Sequence, residues 1–217
     1  MWAGLDAPTD RASRSVRIPC RPDGSPDRKR PTESVKRTVS IRNAHPRLHA
    51  PAAQIRRTVA RLDAEFATLP GDLPHLTVSP ARVLSLQSKI KNRKSKISAV
   101  CPPGELSLVF LSDAALAQVH GDFMGDPTAT DVITFEGDPL AGTAGEICVS
   151  VDTAASQARR HGQTFAEELT LYLVHGWLHL TGYDDLQPAK KRRMRAAEKR
   201  ALTLLRRARA IPAFRLR

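Results

Sequence analysis

Residues 175–185 read HGWLHLTGYDD. Two histidines stand four positions apart in an apolar run, and a glycine, a tyrosine and two aspartates follow. On a helix, side chains four apart share one face with Cβ atoms about 5–6 Å apart, so His175 and His179 can aim both rings at one ion. Their neighbours Val174, Leu178 and Leu180 are apolar, which predicts a helix buried nearly all round. A buried imidazole needs a partner, and a metal ion is an efficient one. Gly182 is placed to end the helix in a left-handed conformation. Asp185, just beyond it, can then return a carboxylate to the same point. His175, His179 and Asp185 leave one position of a tetrahedral ion open, the arrangement of catalytic zinc. The plainer reading is two hydrogen-bonded core histidines and an aspartate that forms a turn. The capping box before the helix, its apolar faces, Gly182 and Asp185 together favour the metal. A glutamate is missing. Zinc peptidases of the His-Glu-x-x-His type place their general base directly after the first histidine, and here that residue is Gly176. Peptide hydrolysis is disfavoured.

Working outward, the helix opens at Thr164 with Glu167 three residues on, a capping box. Before it, DTAASQARRHG predicts a helix closed by Gly162. TDVITFEG and GEICVSV read as strands, and ELSLVFLS as a third by its β-branched and apolar content. DAALAQVHGDFM is a short helix capped by Ser112 or Asp113. Upstream, Val39 and Ile41 alternate like an edge strand. Pro51 then opens a helix with Ile55, Val59, Leu62 and Phe66 on one face. Downstream, QPAKKRRMRAAEKRALTLLRRARA predicts a basic amphipathic helix that buries Met194, Ala197, Ala201, Leu204 and Leu205. Residues 1–37 are rich in Pro, Arg, Ser and Asp and read as a disordered basic tail. Their aspartates at 6, 10, 23 and 27 count against a transit peptide. Residues 70–103 carry Pro74, Pro80, Pro102 and Pro103 around a basic run and read as an insertion or loop. The sum is an α/β (α+β) protein, one compact domain with a small mixed sheet packed by helices.

The 217 residues are 41% hydrophobic, enough for a core, and only 5% aromatic, which argues against a base-stacking platform as the main binding device. No apolar run approaches the roughly 18 residues that span a bilayer, so no membrane is expected. Cys20, Cys101 and Cys148 are odd in number and widely spaced. They read as free thiols in a reducing compartment, with the cytoplasm as default. The net charge of +12 is unevenly spread. Residues 97–185 hold Arg159 and Arg160 against thirteen acids, whereas residues 186–217 hold twelve basic residues against Glu198 alone. Residues 85–96 add five lysines and arginines and no acid. Any one such run is more often a solvated face, but three around an acidic centre point to a polyanion.

HGWLHLTGYDD resembles the signature of the YbeY-type endoribonucleases, His-Gly-x-Leu-His-Leu-x-Gly-Tyr-Asp-His. TDVITF resembles that family's Pro-Thr-Asp-Val-Leu-Ser-Phe segment, and GEICVSV its Gly-Asp-Ile-x-Ile-Ser strand. The likeness covers about residues 105–200 by motif and residues 38–69 by element order, with no counterpart for the tail or for 70–103. It implies a metal-dependent endoribonuclease domain over 38–217, with a basic insertion at about 70–103 and a basic C-terminal helix. It further implies one zinc ion per chain, other divalent ions being possible. Its partners would be single-stranded RNA, ribosomal RNA and the ribosome, in cytoplasmic rRNA maturation and ribosome quality control.

Carried across, the ligands are His175, His179 and, in place of the family's third histidine, Asp185. An aspartate is a harder ligand and cancels one unit of the ion's charge, so the metal should be less electrophilic than with three imidazoles. Asp184 matches a family aspartate and is the weaker candidate. The family's Tyr-Arg pair falls on Phe123 and Met124, and Met124 cannot grip phosphate as the arginine is thought to. His120 is read as a satisfied surface histidine, with acid or donor duty as the minority role, and Asp131 as a loop tie. No catalytic side chain is assigned. Lys190, Lys191, Arg192 and Arg193 are the candidate RNA-docking cluster. The alternatives are a non-cleaving ribosome-associated assembly factor with a structural metal and a metal hydrolase of a small substrate.

Overall fold

The structure is a computed structural model that describes residues 37–68 and 101–217. The tail expected over 1–37, apart from its last residue, and most of the segment 70–103 lie outside the described residues, as does Cys20. The elements in chain order are strand β1 (Thr38–Asn43), strand β2 (Leu48–His49), helix α1 (Ala52–Glu65), strand β3 (Glu105–Leu111) and helix α2 (Asp113–Met124). Then come strand β4 (Val132–Glu136), strand β5 (Thr143–Ser150) and helices α3 (Val151–His161), α4 (Phe165–Leu180) and α5 (Pro188–Arg207), with strand β6 (Arg215–Leu216) last.

β1, β3, β5 and β4 form one sheet in that order. The first three run parallel and β4 pairs antiparallel to β5. The sheet is therefore mixed, and β1, whose alternation predicts an edge, is an edge. β3 is central, and its apolar run fills two cores because successive side chains point to opposite faces. Leu106, Leu108 and Phe110 join the main core with Ile55, Leu62 and the residues of α4. Val109 and Leu111 pack with Leu116 of α2, Ile133 and Cys148 on the other face.

The helix boundaries follow local chemistry. Ser112 caps α2, its hydroxyl accepting from Ala115 N at 3.3 Å. That leaves Asp113 to tie α2 to the start of α3, where it accepts from Thr153 N at 3.1 Å and Thr153 Oγ1 at 2.7 Å. Gly162 ends α3 at φ +63°, and Thr164 caps α4 by accepting from Glu167 N at 3.2 Å. Glu167 returns a carboxylate to the Thr164 hydroxyl at 3.1 Å and also accepts from Arg206 Nε of α5 at 2.8 Å.

α4 is the helix around which the layers assemble. β4 and β5 cover one side of it, α3 and α5 the others. Val174 and Leu178 are fully buried, and Trp177 is 1% exposed. The Trp177 ring meets Phe66 edge-on at 5.3 Å and its Nε1 donates to Asp63 at 3.0 Å. Asp63 is also bridged to Arg37, which donates on to the carbonyls of Cys101 and Pro102. Burial, opposed by Arg37 and Trp177, leaves the Asp63 carboxyl above the usual range. α5 buries Met194, Ala197, Ala201, Leu204 and Leu205 as its periodicity predicts, with Leu202 besides. The β2–β6 ribbon was not expected. Two residues are too few to register as a strand, and their pairing of Leu48 with Leu216 joins distant parts of the chain. Cys101 and Cys148 are free and buried, and burial pushes both thiols up to about 12, which leaves them unreactive packing groups. No helix among the described residues is long and apolar enough to cross a membrane.

Candidate metal centre

His175 and His179 lie one turn apart in the last third of α4, half-buried, where the helix leaves the core. α4 stops at Leu180 and Gly182 takes φ +91°, which turns the chain back. The return places the Asp185 carboxylate 3.9 Å from His179 Nε2. One ligand atom from each of His175, His179 and Asp185 lies within 4.8 Å of the other two. All three predicted ligands are thus brought together. Asp184 is not among them: its carboxylate accepts from Leu186 N at 2.8 Å and from Lys190 Nζ at 2.5 Å.

The outer nitrogens of the two rings decide what the inner ones can do. His175 Nδ1 lies 2.7 Å from Glu198 Oε1, and His179 Nδ1 lies 3.1 Å from the Tyr183 carbonyl oxygen. A carbonyl only accepts, and so does an ionised carboxylate, so both Nδ1 atoms carry the proton and donate. Both Nε2 lone pairs then face each other at 2.9 Å. Two lone pairs at that distance repel unless a cation stands between them. A shared proton meets that requirement, and so would a metal ion. Two nitrogens bound to one tetrahedral zinc stand about 3.3 Å apart, so the pair needs to open by only a few tenths of an ångström. Acceptors that fix the tautomer of ligating imidazoles are the usual outer shell of such a site. The donor set fits the ion.

The electrostatics agree. Burial pulls the His175 imidazole down, but the Glu198 hydrogen bond and the charges of Glu198, Asp185 and Asp131 outweigh it and hold it above its usual value. His179 is held below its usual value by burial first and by His175 second, with Asp185 opposing. Two cavities flank the cluster and share Asp185. One of about 370 Å³ lies between His179 and the edge of β4, and one of about 210 Å³ lies between His175 and the first turns of α5.

Gly176 explains the missing glutamate. A Cβ there would stand 2.4 Å from Ile147 Cγ2, so α4 touches β5 at the position where a peptidase carries its base. His120 donates Nδ1–H to the Thr128 carbonyl at 3.1 Å and ties α2 to the following loop, as a satisfied histidine does. Asp131 accepts from Val132 N at 3.0 Å, and its own carbonyl accepts from Ser150 N at 2.8 Å. It also lines the smaller cavity beside His175. Phe123 is 69% exposed and stacks edge-on against Phe135 at 4.9 Å; the Met124 side chain lies outside the described residues. Glu198 was missed as a site residue. Its signal was present, since it is the one acid in a segment of twelve cations and sits four residues after Met194 at the edge of the buried stripe.

Fold and site together define a small α/β protein organised around a His-x-x-x-His helix with a returning carboxylate. The family model "Endoribonuclease YbeY" matches residues 76–206, and the chain belongs to that family. The match takes in residues 76–103, for which the motifs offer no counterpart, and stops short of 38–69. Among curated relatives, an Endoribonuclease YbeY of Leifsonia xyli is 36% identical over 45% of this chain and 71% of its own length. One of Cytophaga hutchinsonii is 40% identical over 46% of this chain and 71% of its own. One of Geobacter sulfurreducens is 38% identical over 48% and 75%. A Thermotoga maritima protein solved in solution is 18% identical, with a TM-score of 0.44 over 80% of this chain and 95% of that one.

Proposed function

We propose that this chain is a metal-dependent endoribonuclease that cuts single-stranded RNA in the cytoplasm. Its work would be rRNA maturation and ribosome quality control, with one ion held by His175, His179 and Asp185. The observation that carries the reading is the pair of Nε2 atoms opposed at 2.9 Å while Glu198 and the Tyr183 carbonyl occupy both Nδ1 atoms. Two imidazoles and a carboxylate suit zinc, with other divalent ions able to compete. The relatives' name supplies the reaction.

When bound, such an ion supplies Lewis acidity toward a phosphoryl oxygen and acidifies water. The chain's own residues do the rest. Glu198 and the Tyr183 carbonyl hold the two rings in one tautomer and orientation, so no reorganisation is needed when substrate arrives. Asp185 adds negative charge and sets the site's electrophilicity below that of three imidazoles. Apolar packing around Trp177 and Val174 keeps α4 rigid beneath the rings. The basic α5, which starts three residues after Asp185, lines one of the cavities beside the cluster and supplies positive charge for an RNA backbone there.

Metal analysis of purified protein tests this together with cleavage of unstructured ribosomal RNA. The expected result is one ion per chain, lost in Asp185→Ala, and cleavage that stops on chelation and in His179→Ala. Cleavage that survives both would mark a contaminating nuclease and end the proposal. A metal-loaded chain that binds ribosomes and cuts nothing would replace it with the assembly-factor reading.

A further inference from the structure

We infer that Lys191 and Arg195 form a clamp for the RNA phosphate backbone on the wall of the cavity that opens at His175 and Asp185. The inference rests on the endoribonuclease reading and adds to it the residues that seat the substrate.

The cavity of about 210 Å³ is bounded on one side by His175 and Asp185 and on the other by Lys191, Arg195 and Glu198 of α5. Lys191, Arg195 and Glu198 are spaced by four and then three residues, so at about 100° per residue they fall within a stripe some 60° wide. Glu198 is anchored by its 2.7 Å bond to His175 Nδ1. Met194 and Ala197, each 1% exposed, lie on the flank next to Glu198, and their burial fixes the rotation of α5. With that rotation set, the two cations have to face the cavity.

The basic run Lys190–Arg193 is thereby divided. Lys190 is bound to Asp184. Lys191 lines the cavity, whereas Arg192 and Arg193 do not; at about 100° and 200° from Lys191 on the helix they face away from it. Arg195, outside that run, takes a place beside Lys191. Both side chains are exposed, and neither has an ion pair or hydrogen bond among the described residues. Asp131, Asp185 and Glu198 stand on the same cavity, yet Asp131 accepts from Val132 N, and the ion pairs of Asp185 and Glu198 are with His179 and His175. The cations are therefore uncommitted and adjacent to the metal ligands. A phosphodiester meets that chemistry: its anionic oxygens suit the planar fork of an arginine and the point charge of a lysine. Such contacts position the strand and carry no base preference.

The test uses the full chain freed of metal by chelator, so that binding is read without cleavage. Fluorescence anisotropy follows labelled oligouridylate and oligoadenylate across a salt series. Lys191→Gln/Arg195→Gln is compared with Lys199→Gln/Arg207→Gln, a charge-matched pair on exposed positions of α5 that do not line the cavity. The cavity pair is expected to bind both oligonucleotides about tenfold or more weakly than wild type, the ratio that one charge-assisted hydrogen bond carries. Its slope of log affinity against log salt should shrink by about 1.4, since each phosphate contact on a single strand contributes about 0.7. The control pair should lose less than half as much on both readings. All four residues are exposed, and unchanged melting temperatures verify the fold. Equal losses in the two pairs, with wild type binding and cutting RNA, overturn the clamp and leave the endoribonuclease reading in place. A wild type that neither binds nor cuts RNA overturns both.

Discussion

Gly176→Ala is expected to destabilise the protein, although alanine is the better helix former by about 0.8–1.0 kcal/mol. The added Cβ would meet Ile147 Cγ2 at 2.4 Å, Ile147 Cγ1 at 3.1 Å and Thr134 Oγ1 at 3.1 Å. Carbon atoms in contact prefer about 3.5–4.0 Å, so the first distance is short by more than an ångström. Ile147 is fully buried on central strand β5, and its methyl is fixed to a branched Cβ with one stiff rotamer, so it cannot swing aside. α4 must lift off β5 instead. Overpacking of this kind costs typically about 1–3 kcal/mol, and so deep an overlap belongs at the upper end. Set against the helix gain, the net loss is about 1–2 kcal/mol. For a chain of this size that is a fall in melting temperature of about 2–8 °C. Urea denaturation of the four members of a cycle with Ile147→Ala is the assay. Ile147→Ala alone should cost about 2–5 kcal/mol through the cavity it leaves. In that background, however, Gly176→Ala should be neutral or stabilising, because its methyl enters the space vacated. A higher melting temperature for Gly176→Ala in the wild-type background, or strictly additive losses in the double variant, would refute the close approach of α4 to β5.

Glu198→Gln keeps an acceptor at His175 Nδ1 but removes the charge, and partners of this kind are worth about 10–100-fold in metal affinity. Competition with a zinc chelator should show a loss in that range with the melting temperature of the metal-free protein little changed. Glu167→Gln tests the tie between α4 and α5. The Arg206 hydrogen bond above all, with Thr164 assisting against burial, holds the Glu167 carboxyl below its usual range. A folded value below the unfolded one stabilises above the unfolded value, and that stability is lost as pH falls through the folded value. Wild type should therefore exceed Glu167→Gln in stability by a constant margin at neutral pH, and the margin should shrink through the acid carboxylate range. A margin that grows on acidification contradicts the ion pair.

α4 and its histidines were legible because everything that forms them is local. Thr164 and Glu167 cap one end, Gly182 takes the positive φ at the other, and the helical period alone puts His175 and His179 on one face. The edge position of β1, the cap at Ser112 or Asp113 and the buried stripe of α5 are likewise matters of spacing within a few residues. Even the return of Asp185 follows from the turn that Gly182 allows.

What holds the site together was decided across the chain. Glu198 meets His175 because α5 packs on α4 with Met194, Ala197 and Ala201 buried, and nothing in either segment by itself sets that rotation. The same rotation turns Lys191 and Arg195 toward the cavity while Lys190 is taken by Asp184. Gly176 is glycine because Ile147, far back on β5, occupies the place of its side chain. Periodicity and turn chemistry act over a few residues and can be read along the chain. The phase of one helix against another is set by burying apolar surface between them, and exists only in the folded protein.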